Sequence, residues 1–300
     1  MGKIGLILEG GGMRGIYTTG VLDFFIEKDI EVDLVVGVSA GSCNGASYLS
    51  KQYKRAYHVN IDYLKNKNYL SFRNFIKTGS IFGMDFLFNK IPNELNIYDH
   101  DTFKKSKAKF IAVATNCETG KAEYFELKDL EKEIIYLQAS SSIPMFANIV
   151  EVDGYKLLDG GVADSIPIEY AINNGCKKNI VILTRDETYR KSNLKFMHAV
   201  KRKYRKYPKL VQAIENRYIN YNESLDLVSK LAKSGDAFVI RPKKPVKISQ
   251  IEKSVSKLNK LYEDGYNDAK EAYGSILEFM DENYFGKIFP RKLKINYRVR

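Results

Sequence analysis

The sequence predicts an α/β fold of three layers, α/β/α, around a mainly parallel central sheet. Three observations predict it. Short apolar runs of strand length alternate with segments whose apolar residues recur at helical spacing. The first run ends in a glycine cluster, the mark of a tight strand-to-helix turn. The second is followed by small residues that let a helix approach the sheet closely. With 300 residues and 44% hydrophobic content, a single large domain over residues 1–300 can bury an ample core. Its motif-bearing core is expected over 4–186, with a basic C-terminal part, 187–300, packed on it.

Taken in order, Ile4 to Leu8 reads as a buried strand, and Arg14 to Lys28 places Tyr17, Val21, Leu22, Phe25 and Ile26 on one helical face. Leu34 to Val38 is a second strand, and Ala40-Gly41-Ser42-Cys43 with Ala46 opens the helix after it. Phe110 to Ala114 and Ile180 to Leu183 are β-rich, whereas Glu131 to Gln138 and Ile168 to Asn173 are helical in pattern. Ala237 to Ile240 adds a further strand. Ile251, Val255, Leu258, Tyr262, Ala269, Tyr273, Ile276 and Met280 then mark one long amphipathic helix packed on the body.

Charge separates the chain into two parts. Residues 187–210 hold nine Lys or Arg against Glu187, a net +8, and residues 286–300 hold six with no acid, a net +6; taking both from the total of +12 leaves −2 for the remainder. This basic lobe is either a solvated face or a patch for peripheral contact with anionic lipid head groups. No nucleic-acid motif accompanies it, so nucleic acid is not expected as a partner. No apolar run approaches the roughly 20 residues of a membrane-spanning helix. The start, Met1 to Leu6, is too short and too weakly charged for a secretion signal. Cys43, Cys117 and Cys176 are odd in number and far apart, which fits a reducing, cytoplasmic setting. Neither a metal nor a cofactor is expected: no Cys and His spacing suggests zinc, and Asp153 and Asp164 have no partner at ligand spacing.

The turn Glu9-Gly10-Gly11-Gly12-Met13-Arg14-Gly15 follows a strand and opens a helix, so its amides can converge on an anion. A dinucleotide site would need an acid at the end of the second strand, yet Glu31 and Asp33 precede that strand. The strand ends instead in Gly37-Val38-Ser39-Ala40-Gly41, a G-x-S-x-G turn. Gly37 and Gly41 remove side chains from a sharp bend, leaving the Ser39 hydroxyl at a helix N-terminus where the Ala40 amide can stabilise negative charge. Arg14 either orients the glycine loop, meets a phosphate, or is a surface charge.

A nucleophilic serine needs a base. His58, His100 and His198 are the only histidines, and none has a catalytic neighbourhood. Leu157-Leu158-Asp159-Gly160-Gly161 offers Asp159, an acid after two apolar residues and before two glycines, although Asp-Gly-Gly is also ordinary turn chemistry. Taken together and in this order, Gly10 to Gly15, Gly37 to Gly41 and Asp159 to Gly161, with Ala139-Ser140-Ser141-Ser142-Ile143-Pro144 and Pro167, resemble the patatin-like phospholipase family over roughly residues 4 to 186.

That resemblance implies a Ser-Asp dyad, with Ser39 as nucleophile, Asp159 as general base, and Gly10, Gly11, Gly12, Met13, Arg14 and Gly15 with Ala40 as oxyanion hole. It implies a lipid acyl hydrolase that acts through an acyl-enzyme on a lipid ester. An acyltransferase sharing the acyl-enzyme and a non-catalytic lipid-binding protein are the alternatives. An aspartate of ordinary pKa, about 3.9, is a weak base at neutral pH, so the site is expected to desolvate Asp159. The greasy stretch 69–88 is expected to line an acyl pocket, form a cover over it, or pack in the core. Cys43 is read as a small packing residue of its helix.

Overall fold

Residues 2–195 and 197–281 are described by the structure, a computed structural model of the chain. An eight-stranded sheet forms its middle layer: β1 (Lys3–Leu8), β2 (Leu34–Val38), β3 (Lys109–Asn116), β4 (Ala122–Leu127), β5 (Val150–Val152), β6 (Tyr155–Asp159), β7 (Cys176–Ile182) and β8 (Ala237–Ile240). The order is β5-β6-β3-β2-β1-β7-β8, with β4 paired to β3. The five strands from β3 to β8 are parallel, and β4, β5 and β6 pair antiparallel.

The helices are α1 (Ile16–Glu27), α2 (Ala40–Leu49), α3 (Arg55–Ile61), α4 (Phe72–Thr78), α5 (His100–Lys104), α6 (Leu130–Ser140), α7 (Ile168–Asn173), α8 (Met197–Lys203), α9 (Pro208–Ser234), α10 (Val255–Glu271) and α11 (Tyr273–Met280), with a π-helical segment at Phe86–Leu95. Alternate residues of each strand feed two cores. Leu6, Leu8, Val35, Phe110 and Ile182 pack against α1, α2 and α10, while Ile7, Val36, Ile111, Val113 and Val181 pack against α7 and α9. Covered on both faces, β1 and β2 are continuous apolar runs rather than alternating ones.

Three elements differ from the expectation. The single long helix is two, α10 and α11, and Ile251 lies outside both and is exposed. The basic run expected as a lobe leads into α9, a 27-residue helix whose mean hydropathy hides a buried stripe at Leu210, Ile214, Tyr221 and Val228. The hairpin β5–β6 had no reading, being three and five residues long. The basic segment 286–300 lies outside the described residues.

Candidate active site

Ser39 and Asp159 are brought together by the way two strands share one edge of β3. Val113 pairs with Val38 of β2 on one side and Tyr124 of β4 on the other. Its neighbour Ala114 pairs with Asp159 of β6 and, still, with β4 through Glu123. Because β4 holds one edge throughout, β6 must continue on the edge that β2 has just left. β2 runs parallel to β3 and β6 runs against it, so both end at the same height. The residue after Val38 and the last residue of β6 are therefore neighbours.

Groups at and just after the end of α6 close the seam. Ser140 Oγ accepts from the Ser39 amide at 2.9 Å and donates to the Val113 carbonyl at 2.6 Å, and the Ser142 carbonyl accepts from the Asp159 amide at 2.8 Å. The serine-rich segment before Ile143-Pro144 is thus the stitch between the two strand ends. The turn at Ser39 is sharp: φ is 55° and ψ is −124°, a conformation side chains rarely adopt. A Cβ at Gly37 would lie 2.5 Å from Ser42 Cα, and one at Gly41 2.3 Å from the Leu8 carbonyl oxygen, so both positions demand glycine.

Ser39 and Asp159 are both 5% exposed. The Asp159 carboxylate accepts from the Gly161 amide at 2.8 Å, capping the short turn Gly160–Val162. Burial raises its proton affinity above the usual carboxylate range, and Arg217, the facing Ser39 hydroxyl and the Gly161 amide pull it part of the way back. A hydroxyl at a strained helix start, facing a buried carboxylate of raised basicity, is an arrangement able to pass a proton.

The glycine loop lies across from this pair. The Met13 amide donates to the Gln250 carbonyl at 3.1 Å and the Arg14 amide to Gly11 at 3.3 Å, so neither is free to meet a substrate. The amides of Gly10 and Gly11 donate to no protein atom among the described residues. Gly15 is spent on packing: a Cβ there would lie 2.8 Å from Ala40 Cβ. Ala40 begins α2, where an amide has no partner within the helix.

Two cavities meet at Ser39. One is walled by Tyr69, Phe82, Leu87, Ile91, Leu137 and other apolar side chains. The stretch 69–88 has three fates: Tyr69, Phe82, Met84, Leu87 and Phe88 line this cavity, Leu70 and Phe86 are core, and Phe72 and Ile76 are 69% and 71% exposed on α4. Cys43 also lines it, beside Ser141, and burial raises its thiol pKa, which suits packing rather than nucleophilic chemistry. The other cavity is much smaller, with room for about one water, and is lined by Glu9, Arg14, Arg185, Lys191, Arg217 and Tyr221. Neither contains a histidine. His58 pairs with Asp62 on an exposed face and His100 sits against Tyr98.

Sequence reasoning missed Arg185, Lys191, Arg217 and Tyr221 as site residues. Lys191 had been counted in the basic lobe, but it is drawn inward and its amine is pushed down to about 7 by desolvation and by Arg217. The signal for Arg217 was present: it falls on the buried stripe of α9, three residues after Ile214 and four before Tyr221, where a charge is out of place unless it is used.

The patatin-like phospholipase model matches residues 6–172, more than half of the chain. The chain belongs to the patatin-like phospholipase family. A second model, a domain of unknown function (DUF6363), matches residues 207–281. An uncharacterized protein of Escherichia coli, YjjU, is 32% identical over 61% of this chain and 52% of its own length. A probable lipid hydrolase, 463L, of invertebrate iridescent virus 6 is 25% identical over 62% of this chain and 72% of its own. Lysophospholipase nte1 of Aspergillus niger is 29% identical over 56% of this chain but only 11% of its own. The match thus spans about half of the bacterial relative and a small part of the fungal one. Among solved structures, VipD from Legionella pneumophila superposes with a TM-score of 0.51 at 11% identity, over 91% of this chain and 67% of that one, a likeness of fold. This patatin-like protein therefore carries its family's three-layer α/β architecture. No helix among its described residues is long and apolar enough to cross a membrane.

Proposed function

We propose that this patatin-like protein is a lipid acyl hydrolase in which Ser39 is the nucleophile and Asp159 the general base. The observation that carries the reading is the meeting of β2 and β6 on β3, which sets the Ser39 hydroxyl against a buried carboxylate beside an apolar cavity. The acyl chain lies in that cavity, and Ser39 Oγ attacks the ester carbonyl while its proton passes to Asp159. The amides of Gly10, Gly11 and Gly12, with that of Ala40, hold the oxyanion. The proton on Asp159 goes to the leaving alcohol, and a water activated by the same carboxylate then releases the fatty acid and restores Ser39. Relatives named lysophospholipase and probable lipid hydrolase support the substrate class.

A fluorophosphonate probe tests this reading. The natural chain is expected to label at Ser39, Ser39→Ala to show no labelling, and Asp159→Asn to label far more slowly; labelling of Ser39→Ala at the natural rate would refute it. The exposed Lys201, Arg202, Lys203, Arg205, Lys206 and Lys209 around α8 support peripheral contact with anionic lipid. Binding to anionic vesicles should weaken as salt is raised, and equal binding to neutral vesicles would count against it.

A further inference from the structure

The glycine loop is gripped at both ends by residues that lie beyond 6–172, the segment matched by the patatin-like model. Before the loop, the Glu9 carboxylate accepts from the Tyr221 hydroxyl of α9 at 2.6 Å, and from the Thr184 amide and hydroxyl at 2.5 and 3.0 Å. After it, the Met13 amide donates to the Gln250 carbonyl at 3.1 Å. Gly12, with φ at 55°, passes so close to that carbonyl that a Cβ would lie 2.6 Å from its oxygen. The amides between these anchors, those of Gly10 and Gly11, are the two that donate to no protein atom among the described residues.

The turn that carries Asp159 is held from the same helix. Arg217 Nε donates to the Gly161 carbonyl, which also accepts from Ser165 Oγ at 2.7 Å, while the Gly161 amide donates to Asp159 at 2.8 Å. Both polar groups of Gly161 are thus engaged, and a Cβ there would lie 3.1 Å from a terminal nitrogen of Arg217. Arg217 and Tyr221 are four residues apart on α9, one helical turn, so their side chains leave the same face. Leu210, Ile214 and Val228 bury that face and fix where it points. One face of one helix therefore reaches both loops beside Ser39.

We propose that the C-terminal part, which matches a domain of unknown function over residues 207–281, is a clamp on the active site, with Arg217 and Tyr221 as positioning residues that hold the Asp159 turn and the glycine loop across Ser39. The proposal rests on Ser39 and Asp159 being nucleophile and base. Its physical reason is preorganisation: amides aimed in advance at an oxyanion need not move during the reaction, and a misplacement of about 1 Å can lower a rate by about 100-fold. The family segment supplies the reacting groups, and α9 sets the distance between them.

The test uses full-length Arg217→Met, Arg217→Lys and Tyr221→Phe. For each, kcat, KM and the pH profile are measured on a soluble short-chain ester, with thermal melting and amide hydrogen exchange of peptides covering residues 9–15 and 159–163. Arg217→Met is expected to lower kcat by about tenfold or more with KM little changed, and to speed exchange in 159–163. Asp159 faces Arg217, Lys191, the Ser39 hydroxyl and the Gly161 amide, so Arg217→Met should also move the acid limb upward, and Arg217→Lys should return it. Tyr221→Phe removes one hydroxyl from Glu9 and should lower kcat by about tenfold, speed exchange in 9–15 and leave the acid limb in place. Natural kcat in Arg217→Met and Tyr221→Phe, or losses that follow a fall in melting temperature and are not restored in Arg217→Lys, would overturn the clamp. If no ester is turned over and Ser39 does not label with a fluorophosphonate, the hydrolase reading fails and exchange alone decides: faster exchange in the two segments sustains the clamp, and unchanged exchange overturns it.

Discussion

The two cavities that meet at Ser39 come from different parts of the chain. Every residue lining the apolar one lies between Gly12 and Ile143, inside the segment matched by the family model. The cationic one draws Arg185, Tyr189, Lys191, Arg217, Tyr221 and Gln250 from beyond that segment. Ser39, Asp159 and the apolar wall are thus carried together, and the cations other than Arg14 come from the C-terminal part, whose α9 covers one face of the sheet while α10 covers the other. The difference teaches that two cavities meeting at one serine can be encoded separately along the chain.

The largest effect should fall on what the cavities share. Ser39→Ala and Asp159→Asn are each expected to lower ester turnover by about a thousandfold or more without unfolding the chain, measured as kcat alongside thermal melting. A loss of only a few fold for Asp159→Asn would move the base elsewhere. Next comes the apolar side alone. Leu87→Asp should lower kcat/KM for a long-chain ester by roughly 200-fold relative to a short one, since each buried methylene contributes about 0.8 kcal/mol and about four would lose their wall. An unchanged ratio would show that the chain lies elsewhere. Phe86→Asp would not serve, because Phe86 packs against Tyr63 in the core rather than in the cavity.

A smaller effect should come from the cationic side through pH. Asp159 must be ionised to act as base, and burial raises its proton affinity, so kcat/KM should rise with pH through a midpoint above the ordinary aspartate value. Arg217 opposes that rise, and Arg217→Met should move the acid limb upward. Lys191 opposes the rise in the same sense, and desolvation, followed by the neighbouring Arg217, pushes its own amine down to about 7. The smallest effect belongs to His58, which lies outside both cavities: His58→Ala should change turnover by less than about twofold.

The same division explains what the sequence could reveal. β2 and β8 were legible to the residue, because short apolar runs bounded by polar residues have one plausible reading. Ser39 and the glycine loop were legible as turns, since glycines at fixed offsets are a local signal. The neighbourhood of Ser39 and Asp159 was implied by the family resemblance and not by local pattern, because it depends on β6 taking over an edge of β3 that β2 vacates, a long-range pairing that three- and five-residue strands do not announce. The cationic cavity was hidden for another reason. Lys191 read as one more charge in a basic run, and Arg217 lies in a stretch that had no reading, although α9 turns its buried stripe toward Gly161.

The most direct test of this division of labour is the crystal structure of the protein inactivated by a long-chain alkyl fluorophosphonate. The phosphorus should be bonded to Ser39 Oγ, with its oxygen in hydrogen-bonding range of the Gly10 and Gly11 amides and its alkyl chain running along Phe82, Leu87 and Leu137. An alkyl chain lying instead among Arg185, Lys191 and Arg217, or outside on the surface, would contradict the account.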